Sequence, residues 1–100
     1  MPLGKPRYPF TRRMIDGAPG DAGVYLLYAG ARVLYIGRAA DLRARLQQHL
    51  EGAVCECSRQ ATHYSWEIVL QPQVRELELL REQRERDGAL PPCNRHAASA

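Results

Sequence analysis

The sequence predicts an α+β fold in which helices flank a small three-stranded antiparallel sheet, with the elements in the order β-β-α-β-α. Three features lead to this prediction: two strand-like segments joined by a short turn, a third strand-like segment, and two longer segments that end in helix-capping residues. The 100 residues suffice for one domain with a modest core. Apolar residues make up 45% and charged residues 25%, which is typical of a folded soluble domain.

The first two predicted strands form a hairpin. Residues 23–28 are rich in Val, Leu and Tyr, residues 29–32 contain a turn glycine, and residues 33–37 return to a strand-like pattern. Two such segments around a short glycine-containing loop are typical of a β-hairpin. Residues 64–70 form the third predicted strand.

The two ends of the chain carry weaker signals. Residues 1–21 contain four prolines, which predicts an irregular N-terminal arm in front of a domain at residues 22–95. Residues 96–100 are mostly small, so we expect a frayed tail there.

Capping residues delimit two predicted helices. Asp41 is a favourable N-cap for a helix that runs to about Glu51, because its carboxylate can accept from the free amides of the first turn. The apolar stripe of this helix is formed by Leu42, Leu46 and Leu50. Pro72 is well placed to begin the second helix, and Gly88 to cap its C-terminal end.

The chain has a net charge of +3 and a pI of about 9.0, and almost all of its basic residues are arginine. Arginine suits bidentate phosphate contacts, although so small a net charge does not identify a nucleic-acid-binding protein. No apolar run approaches the roughly 20 residues of a membrane span, and residues 1–13 lack the apolar core of a secretory signal. We therefore expect a cytoplasmic protein without a membrane partner.

The three cysteines are Cys55, Cys57 and Cys93. An odd count without a secretory signal favours reduced thiols over a disulfide framework. A zinc site built from the first two cysteines and His63 is a weaker alternative, because zinc-binding cysteine pairs are usually separated by two to four residues and a fourth ligand is not evident.

Each strand of the hairpin carries a tyrosine within a triplet. The triplet Gly-Val-Tyr ends at Tyr25, and the triplet Tyr-Ile-Gly begins at Tyr35. The two triplets at this spacing resemble the GIY-YIG nuclease family, and the resemblance covers residues 19–94. It implies a GIY-YIG-like fold and hydrolysis of DNA phosphodiesters with one divalent metal ion, Mg²⁺ or Mn²⁺.

The resemblance also implies the residues of the site. Tyr25 and Tyr35 are the expected catalytic tyrosines, together with Arg45 on the first helix and a metal-binding glutamate on the second. The residues expected to contact the substrate are Gly37, Arg38, His49 and Asn94. The repair nucleases of the family carry lysine at the position of Arg38, which puts a mechanism through a neutral lysine in doubt. For Asn94, support of the first helix stays open beside substrate binding.

Two glutamates are candidates for the metal ligand. Glu82 has the repair-nuclease spacing to Asn94, but helical geometry places it on the charged outer face. Viewed down the helix axis, Glu76 falls between Leu79 and Leu80. A carboxylate among apolar neighbours is unfavourable unless it serves a function. We therefore predict that Glu76 binds the metal and is catalytic, with Glu82 as the alternative.

The chemistry of phosphodiester hydrolysis suits these residue types. The reaction requires an activated water, a metal that holds the phosphate, and positive charge at the transition state. A tyrosine with a pKa near 10 accepts a proton at neutral pH only if a nearby cation lowers that pKa. Arg38 and Arg45 are candidates for this cation, and the sequence leaves open which tyrosine is the general base.

The resulting functional prediction is a metal-dependent DNA endonuclease with low sequence specificity, either structure-selective or brought to its substrate by a protein partner. Duplex, branched and single-stranded DNA all stay open as substrates, and so does RNA. The alternatives are a catalytically silent nucleic-acid-binding module on the same fold, and a protein-interaction domain with an incidental basic surface. Only the last predicts no salt-dependent DNA binding.

Overall fold

The computed structural model describes residues 7–52, 54 and 56–97. In chain order its strands are β1 Tyr8–Pro9, β2 Gly23–Ala29, β3 Arg32–Ala39 and β4 His63–Ile68. Its α-helices are α1 Arg12–Asp16, α2 Leu42–Leu50, α3 Pro72–Asp87 and α4 Pro92–Ala97, with a 3₁₀ helix at Glu56–Gln60. The α+β class is confirmed. No helix in this described part of the chain is long and apolar enough to span a membrane.

The sheet is antiparallel and contains four strands in the order β1-β4-β2-β3, rather than the predicted three. The additional strand is β1, in which Tyr8 pairs with Tyr64 and Pro9 pairs with His63. A strand of two residues that includes proline is compatible only with a sheet edge, and it leaves no alternating pattern in the sequence. This is why pattern reasoning missed it.

The predicted irregular arm at residues 1–21 contains α1 as well as β1 in the part that the structure describes, residues 7–21. The Thr11 side chain caps α1 by accepting from the Met14 amide, and Ile15 on this helix is fully buried. Five residues are too few to show helical periodicity, so the cap was the only available signal. Residues 1–6 lie outside the described residues.

The predicted hairpin is confirmed, with Tyr25 opposite Gly37 and Leu27 opposite Tyr35. The observed strands are longer than predicted, and Gly30 adopts a φ of 63° at the turn between them. The third predicted strand, 64–70, corresponds to β4 and ends two residues earlier.

The sheet has two covered faces because side chains alternate along each strand. On the face covered by α1 and α2, which we call the α2 face, Tyr25, Leu27 and Tyr35 pack with Leu42 and Leu46. The opposite face, which we call the α3 face, carries Val24, Leu26 and Ile36 in one cluster with Leu79 of α3. Because β2 is buried on both sides, the central strand fixes the positions of the other elements.

Both long helices lie where the sequence predicts them. Asp41 caps α2 by accepting from the Ala44 amide, and Leu42 and Leu46 are fully buried. Helix α3 begins at Pro72 and ends before Gly88, whose φ of 77° is the left-handed conformation of a C-terminal cap.

The prediction of reduced thiols is wrong for two of the three cysteines. Cys57, in the 3₁₀ helix, forms a disulfide with Cys93 of α4 across a sequence separation of 36 residues. Counting cysteines could not identify this pair, because only the fold brings the two segments together. The zinc hypothesis loses Cys57, and Cys55 lies outside the described residues. Within those residues, no group of three or more His, Cys, Asp or Glu side chains could hold a metal ion.

The C-terminal segment contains α4 where the sequence predicted the end of the domain and a tail. Of the predicted tail at residues 96–100, the first two residues belong to this helix, and residues 98–100 lie outside the described residues.

Candidate active site

The two predicted catalytic tyrosines lie side by side on the α2 face of the sheet. Their ring centroids are 5.9 Å apart, and the His49 ring packs 4.9 Å from Tyr35 and 5.3 Å from Tyr25. Tyr25 and His49 are fully buried, and Tyr35 is 7% exposed. The hairpin register places the tyrosines two positions apart on adjacent strands, and α2 covers them with its C-terminal turn. These three side chains form the aromatic cluster of the site.

The Tyr25 hydroxyl and His49 Nε2 share a hydrogen bond of 2.6 Å in the buried interior. Burial raises the pKa of Tyr25 far above its ordinary value, and the nearby Arg45 guanidinium opposes this rise without cancelling it. Burial, helped by the charge of Arg45, lowers the pKa of His49 to about 4. At neutral pH the pair therefore consists of a protonated phenol and a neutral imidazole.

His49 Nδ1 is buried without a hydrogen-bond partner. A neutral imidazole carries one N–H and one lone pair, so either tautomer leaves a polar group unsatisfied at this position. Unsatisfied buried polar groups are unfavourable, and their presence at a candidate site is consistent with a functional constraint.

The resemblance predicts that His49 contacts the substrate, but the structure buries this side chain against the tyrosines. Arg45, four residues earlier on the same helix, is partly exposed and lines an open cavity at the end of β3. A four-residue spacing brings two side chains to one edge of a helix, but it does not say which of them is buried.

The glycines of both triplets are required by close packing. A Cβ atom added at Gly37 would lie 2.5 Å from the Tyr25 hydroxyl oxygen and 2.7 Å from Cε2 of Tyr35. A Cβ atom at Gly23 would collide with the backbone carbonyl of Glu67 on β4. Gly37 was predicted to contact the substrate. The structure gives it a direct role in making room for the tyrosines.

Arg45 lies on α2 at the margin of the aromatic cluster. It donates from Nη1 to Gln48 Oε1 at 3.0 Å, and its charge acts on both Tyr25 and His49. Together with Arg38 and Gln48 it lines an open cavity of about 310 Å³ at the end of β3. Gln48 was not singled out in the sequence. Its position three residues after Arg45 on a helix was the signal available.

Arg38 and Glu76 form a second polar pair, on the α3 face of the sheet. Arg38 Nη1 lies 3.3 Å from Glu76 Oε1, with the arginine side chain 56% exposed and the glutamate side chain 19% exposed. Burial raises the pKa of Glu76, and the charge of Arg38 opposes the rise. A carboxylate that is partly desolvated but remains accessible is suited to a metal ion.

The position of Glu76 favours it over Glu82 as the metal ligand. Glu76 contacts the residue that directly follows Gly37, which places it at the same end of β3 as the tyrosines. Of the neighbouring carboxylates of α3, Glu78 is paired with Arg75. Glu82 lies almost two helical turns further along, and its assignment as an alternative stays a prediction.

A single carboxylate is compatible with Mg²⁺ or Mn²⁺. Mg²⁺ typically keeps several waters and binds one or two protein carboxylates together with substrate phosphate oxygens. Glu76 could supply that carboxylate, with Arg38 free to turn toward the phosphate. The residues present therefore fit a divalent ion that is completed by water and substrate.

Asn94 pairs with the backbone of β3. Its Oδ1 accepts from the Ile36 amide and its Nδ2 donates to the Ile36 carbonyl, each at 2.9 Å. These two bonds use one of the two Nδ2 hydrogens and one Oδ1 lone pair, so the predicted substrate contact stays a prediction. It supports the edge strand rather than the first helix.

Comparison with known proteins agrees with this fold. The profile of the GIY-YIG catalytic domain matches residues 21–85. The UvrABC system protein C of Aquifex aeolicus (strain VF5) is 39% identical over 51 residues, which are 51% of this chain and 9% of that protein. The chain thus corresponds to a small part of this longer relative.

Solved structures of the GIY-YIG N-terminal endonuclease domain of UvrC from Thermotoga maritima have the same fold. The domain bound to magnesium, its catalytic divalent cation, is 25% identical with a TM-score of 0.64, over 81% of this chain and 91% of that one. A point mutant bound to its cation is 24% identical with a TM-score of 0.66, over 81% and 90%. The chain belongs to the GIY-YIG family, and residues 21–85 carry its catalytic, nuclease-type domain.

Proposed function

We propose that this chain is a metal-dependent endonuclease that hydrolyses DNA phosphodiester bonds with low sequence specificity. The observation that carries the proposal is the meeting of two groups at one end of β3. The aromatic cluster reaches this end from the α2 face, and the Arg38–Glu76 pair reaches it from the α3 face. Such a site combines groups that handle protons with groups that hold a metal and a phosphate.

Substrate binding is assigned to the arginines at this end of the strand. Arg38 and Arg45 line the cavity of about 310 Å³, and Arg38 also borders a neighbouring cavity of about 360 Å³ beside Pro72. The two cavities share Arg38, Ala39 and Ala40, and we refer to them together as the groove at the end of β3. Guanidinium groups can bind phosphate oxygens with two parallel hydrogen bonds, which would fix the scissile phosphate in this groove.

The metal ion is assigned to Glu76. A bound Mg²⁺ or Mn²⁺ supplies Lewis acidity at a phosphate oxygen and lowers the pKa of a bound water. Glu76 holds the negative charge that attracts the cation, and it is paired at 3.3 Å with Arg38, which borders both cavities. Arg45 contributes positive charge that stabilises the additional charge on phosphorus oxygens at the transition state.

The tyrosines have separate roles in this proposal. Because the pKa of Tyr25 is raised by burial, it stays a neutral phenol, and its bond to His49 fixes its orientation. Tyr35 is the more accessible of the two and is assigned the attacking water, which it positions or deprotonates. The neutral His49 packs against Tyr35 and holds it from the interior side.

Low sequence specificity follows from the composition of the groove. Apart from its two arginines, its walls are formed by alanines, Pro72, Asp41 and the glutamines Gln48 and Gln73, so only a few side chains could read base edges. Selection of a cleavage position is therefore assigned to the shape of a branched, flapped or otherwise distorted DNA, or to a protein partner. We place this activity in the cytoplasm.

Cleavage of labelled duplex, single-stranded, flapped and branched DNA tests the proposal, with Mg²⁺, Mn²⁺ or EDTA. The wild type is compared with Glu76→Ala and Tyr35→Phe, with Glu82→Ala and Tyr8→Phe as matched controls. The proposal expects metal-dependent cutting that is lost in the first two variants and kept in the controls. Salt-sensitive binding of every DNA without cutting would instead establish a silent nucleic-acid-binding module.

A further inference from the structure

The Cys57–Cys93 disulfide lies next to the residue that supports the catalytic strand. Cys93 is fully buried in the core of the α2 face and directly precedes Asn94. Cys57 belongs to the 3₁₀ helix that follows α2, so the bridge fixes the start of α4 to the body of the domain. The position of Asn94 therefore depends on a covalent bond one residue away.

Asn94 supports β3 at the open edge of the sheet. In the order β1-β4-β2-β3 this strand has a neighbour on one side only. Both backbone groups of Ile36 bond to the Asn94 side chain, which means that they face the open edge and not β2. Asn94 thus replaces a missing partner strand at the one residue that separates Tyr35 from Gly37.

Helix α4 needs external support to hold this position. It contains six residues, too few for a stable helix by itself, and its first residue, Pro92, directly follows Pro91, so neither can donate a backbone hydrogen bond. Among the described contacts, its start is held by the disulfide, by burial of Cys93 and by the bonds of Asn94 to Ile36. Removing the disulfide removes the only covalent member of this set.

We propose that the Cys57–Cys93 disulfide is a redox-controlled positioning device for the active site, acting through Asn94 on the Tyr35–Gly37 segment of β3. This inference rests on the nuclease activity proposed above. In the oxidised protein Asn94 holds the strand at the geometry that places Tyr35 against Gly37 and His49. In the reduced protein α4 loosens and Tyr35 is less well positioned.

The switch is a two-electron thiol–disulfide exchange with a dithiol of the thioredoxin class. A thiolate of the reductant attacks Cys57 Sγ, which belongs to the partly exposed residue of the pair, and a mixed disulfide forms as Cys93 leaves as a thiolate. The second thiol of the reductant then releases Cys57, the reductant becomes a disulfide, and both cysteines end as thiols. Disulfides in a reducing compartment are usually transient and redox-sensing, which agrees with a cytoplasmic location.

Hydrogen exchange of single amides tests the switch without reference to cleavage. The Ile36 amide is protected by Asn94, whereas Leu26 lies on the central strand and reports on the whole fold. On reduction with dithiothreitol we expect Ile36 to exchange at least about tenfold faster while Leu26 is unchanged. Equal exchange of Ile36 in both states would overturn the proposal. An equal acceleration of both amides would also overturn it, since the disulfide would then stabilise the fold as a whole.

Cleavage measured on the same samples tests the functional consequence. Reduction should lower the single-turnover rate at saturating DNA by about tenfold and leave the Kd for DNA unchanged, because Tyr35 is displaced while the arginines are not. Reoxidation should restore the rate. Cys57→Ser should be slow under both conditions, and Cys55→Ser, which keeps the bridge, should respond like the wild type.

A rate that is insensitive to reductant in an active wild type would overturn the switch, as would a Cys57→Ser protein that still responds to reductant. If the wild type cuts no DNA in either state, the nuclease proposal fails, and the exchange of Ile36 still decides whether the disulfide controls the strand.

Discussion

At the end of β3, the functional groups on one face of the sheet are buried and neutral, whereas those on the other face are charged and reach solvent. On the α2 face, Tyr25 and His49 are fully buried, neutral and joined by a short hydrogen bond. On the α3 face, Arg38 and Glu76 form a charged pair that remains open to solvent. The first arrangement resists ionisation, whereas the second allows an ion and a phosphate to enter.

In the proposed function this difference corresponds to a separate task for each face. Burial fixes the positions of the tyrosines and keeps Tyr25 and His49 uncharged, and this face would orient the water and manage protons. The Glu76 carboxylate is partly exposed, and the other face would bind the metal. A single edge strand connects the tasks, because Tyr35 and Arg38 lie three residues apart on β3 and project from opposite faces.

The largest loss of cleavage rate is expected from a substitution on the α3 face. Glu76→Ala should lower the rate of Mg²⁺-dependent cleavage by about 10³-fold or more, because the metal contributes several kcal/mol to stabilising the transition state. The measurement is a single-turnover rate at saturating Mg²⁺. Glu78→Ala, on the same helix but paired with Arg75, is the matched control and should stay within a few-fold of the wild type. Comparable losses in the two variants would contradict the assignment.

The next largest loss of cleavage rate is expected from a substitution on the α2 face. Tyr35→Phe should lower the cleavage rate by about 10²-fold or more, since it removes the hydroxyl that positions the water but keeps the ring packed against His49. The measurement is the same single-turnover rate at saturating DNA. Tyr64→Phe is the control, because the Tyr64 hydroxyl bonds to a backbone carbonyl of α1 instead. Wild-type turnover by Tyr35→Phe would show that this face does not act in the reaction.

The packing of the α2 face should be sensitive to one added methyl group. Gly37→Ala would force both tyrosine rings to move, and we expect a loss of about 1–3 kcal/mol in the free energy of unfolding. Gly20→Ala is a suitable control, since the nearest atoms to its Cβ are 3.8 Å away on the Asp41 side chain. Urea unfolding of both variants measures the difference, and equal stabilities would mean that the aromatic cluster is loosely packed.

The buried imidazole should make stability depend on pH. The pKa of His49 in the folded protein is about 4, below its value of 6.5 in an unfolded chain. The unfolded state therefore binds the proton first, and stability falls as the pH decreases from 6.5 toward 4. Over that interval we expect His49 to contribute about 3 kcal/mol of the loss. Urea unfolding at several pH values should show a smaller slope in His49→Gln than in the wild type, and equal slopes would contradict this assignment to His49.

The smallest expected effect on stability is on the α3 face. Arg38→Gln should change the free energy of unfolding by less than about 1 kcal/mol, because more than half of the arginine side chain is exposed to solvent. The same variant should bind DNA more weakly and with a shallower dependence on salt. Urea unfolding and a salt titration of DNA binding measure the two quantities. A large loss of stability would show that the Arg38–Glu76 pair holds the fold together.

The parts that could be predicted from the sequence are those encoded locally. The two triplets lie on adjacent strands of a hairpin, so their spacing determines that Tyr25 and Tyr35 meet. Asp41 and Gly88 mark helix ends through their own backbone and side-chain chemistry. Helical geometry predicts that Glu76 is partly buried, and its side chain is 19% exposed beside Arg38, while its role as the metal ligand stays a prediction.

The parts that could not be predicted depend on contacts between distant segments. His49 and Arg45 share one edge of a helix in the sequence, and only the packing of α2 on the sheet decides which one is buried. Asn94 reaches Ile36 across 58 residues, and Cys57 reaches Cys93 across 36. No periodicity or motif in the sequence identifies such partners, because they are selected by the tertiary fold.

Direct measurement of metal binding tests most sharply whether the two faces carry separate tasks within one site. Mn²⁺ binding and DNA cleavage would be measured in parallel for the wild type, Glu76→Ala and Tyr35→Phe. We expect that Glu76→Ala loses both properties, whereas Tyr35→Phe binds Mn²⁺ with wild-type affinity but does not cut. Retention of Mn²⁺ by Glu76→Ala, or its loss in Tyr35→Phe, would contradict the division between the faces.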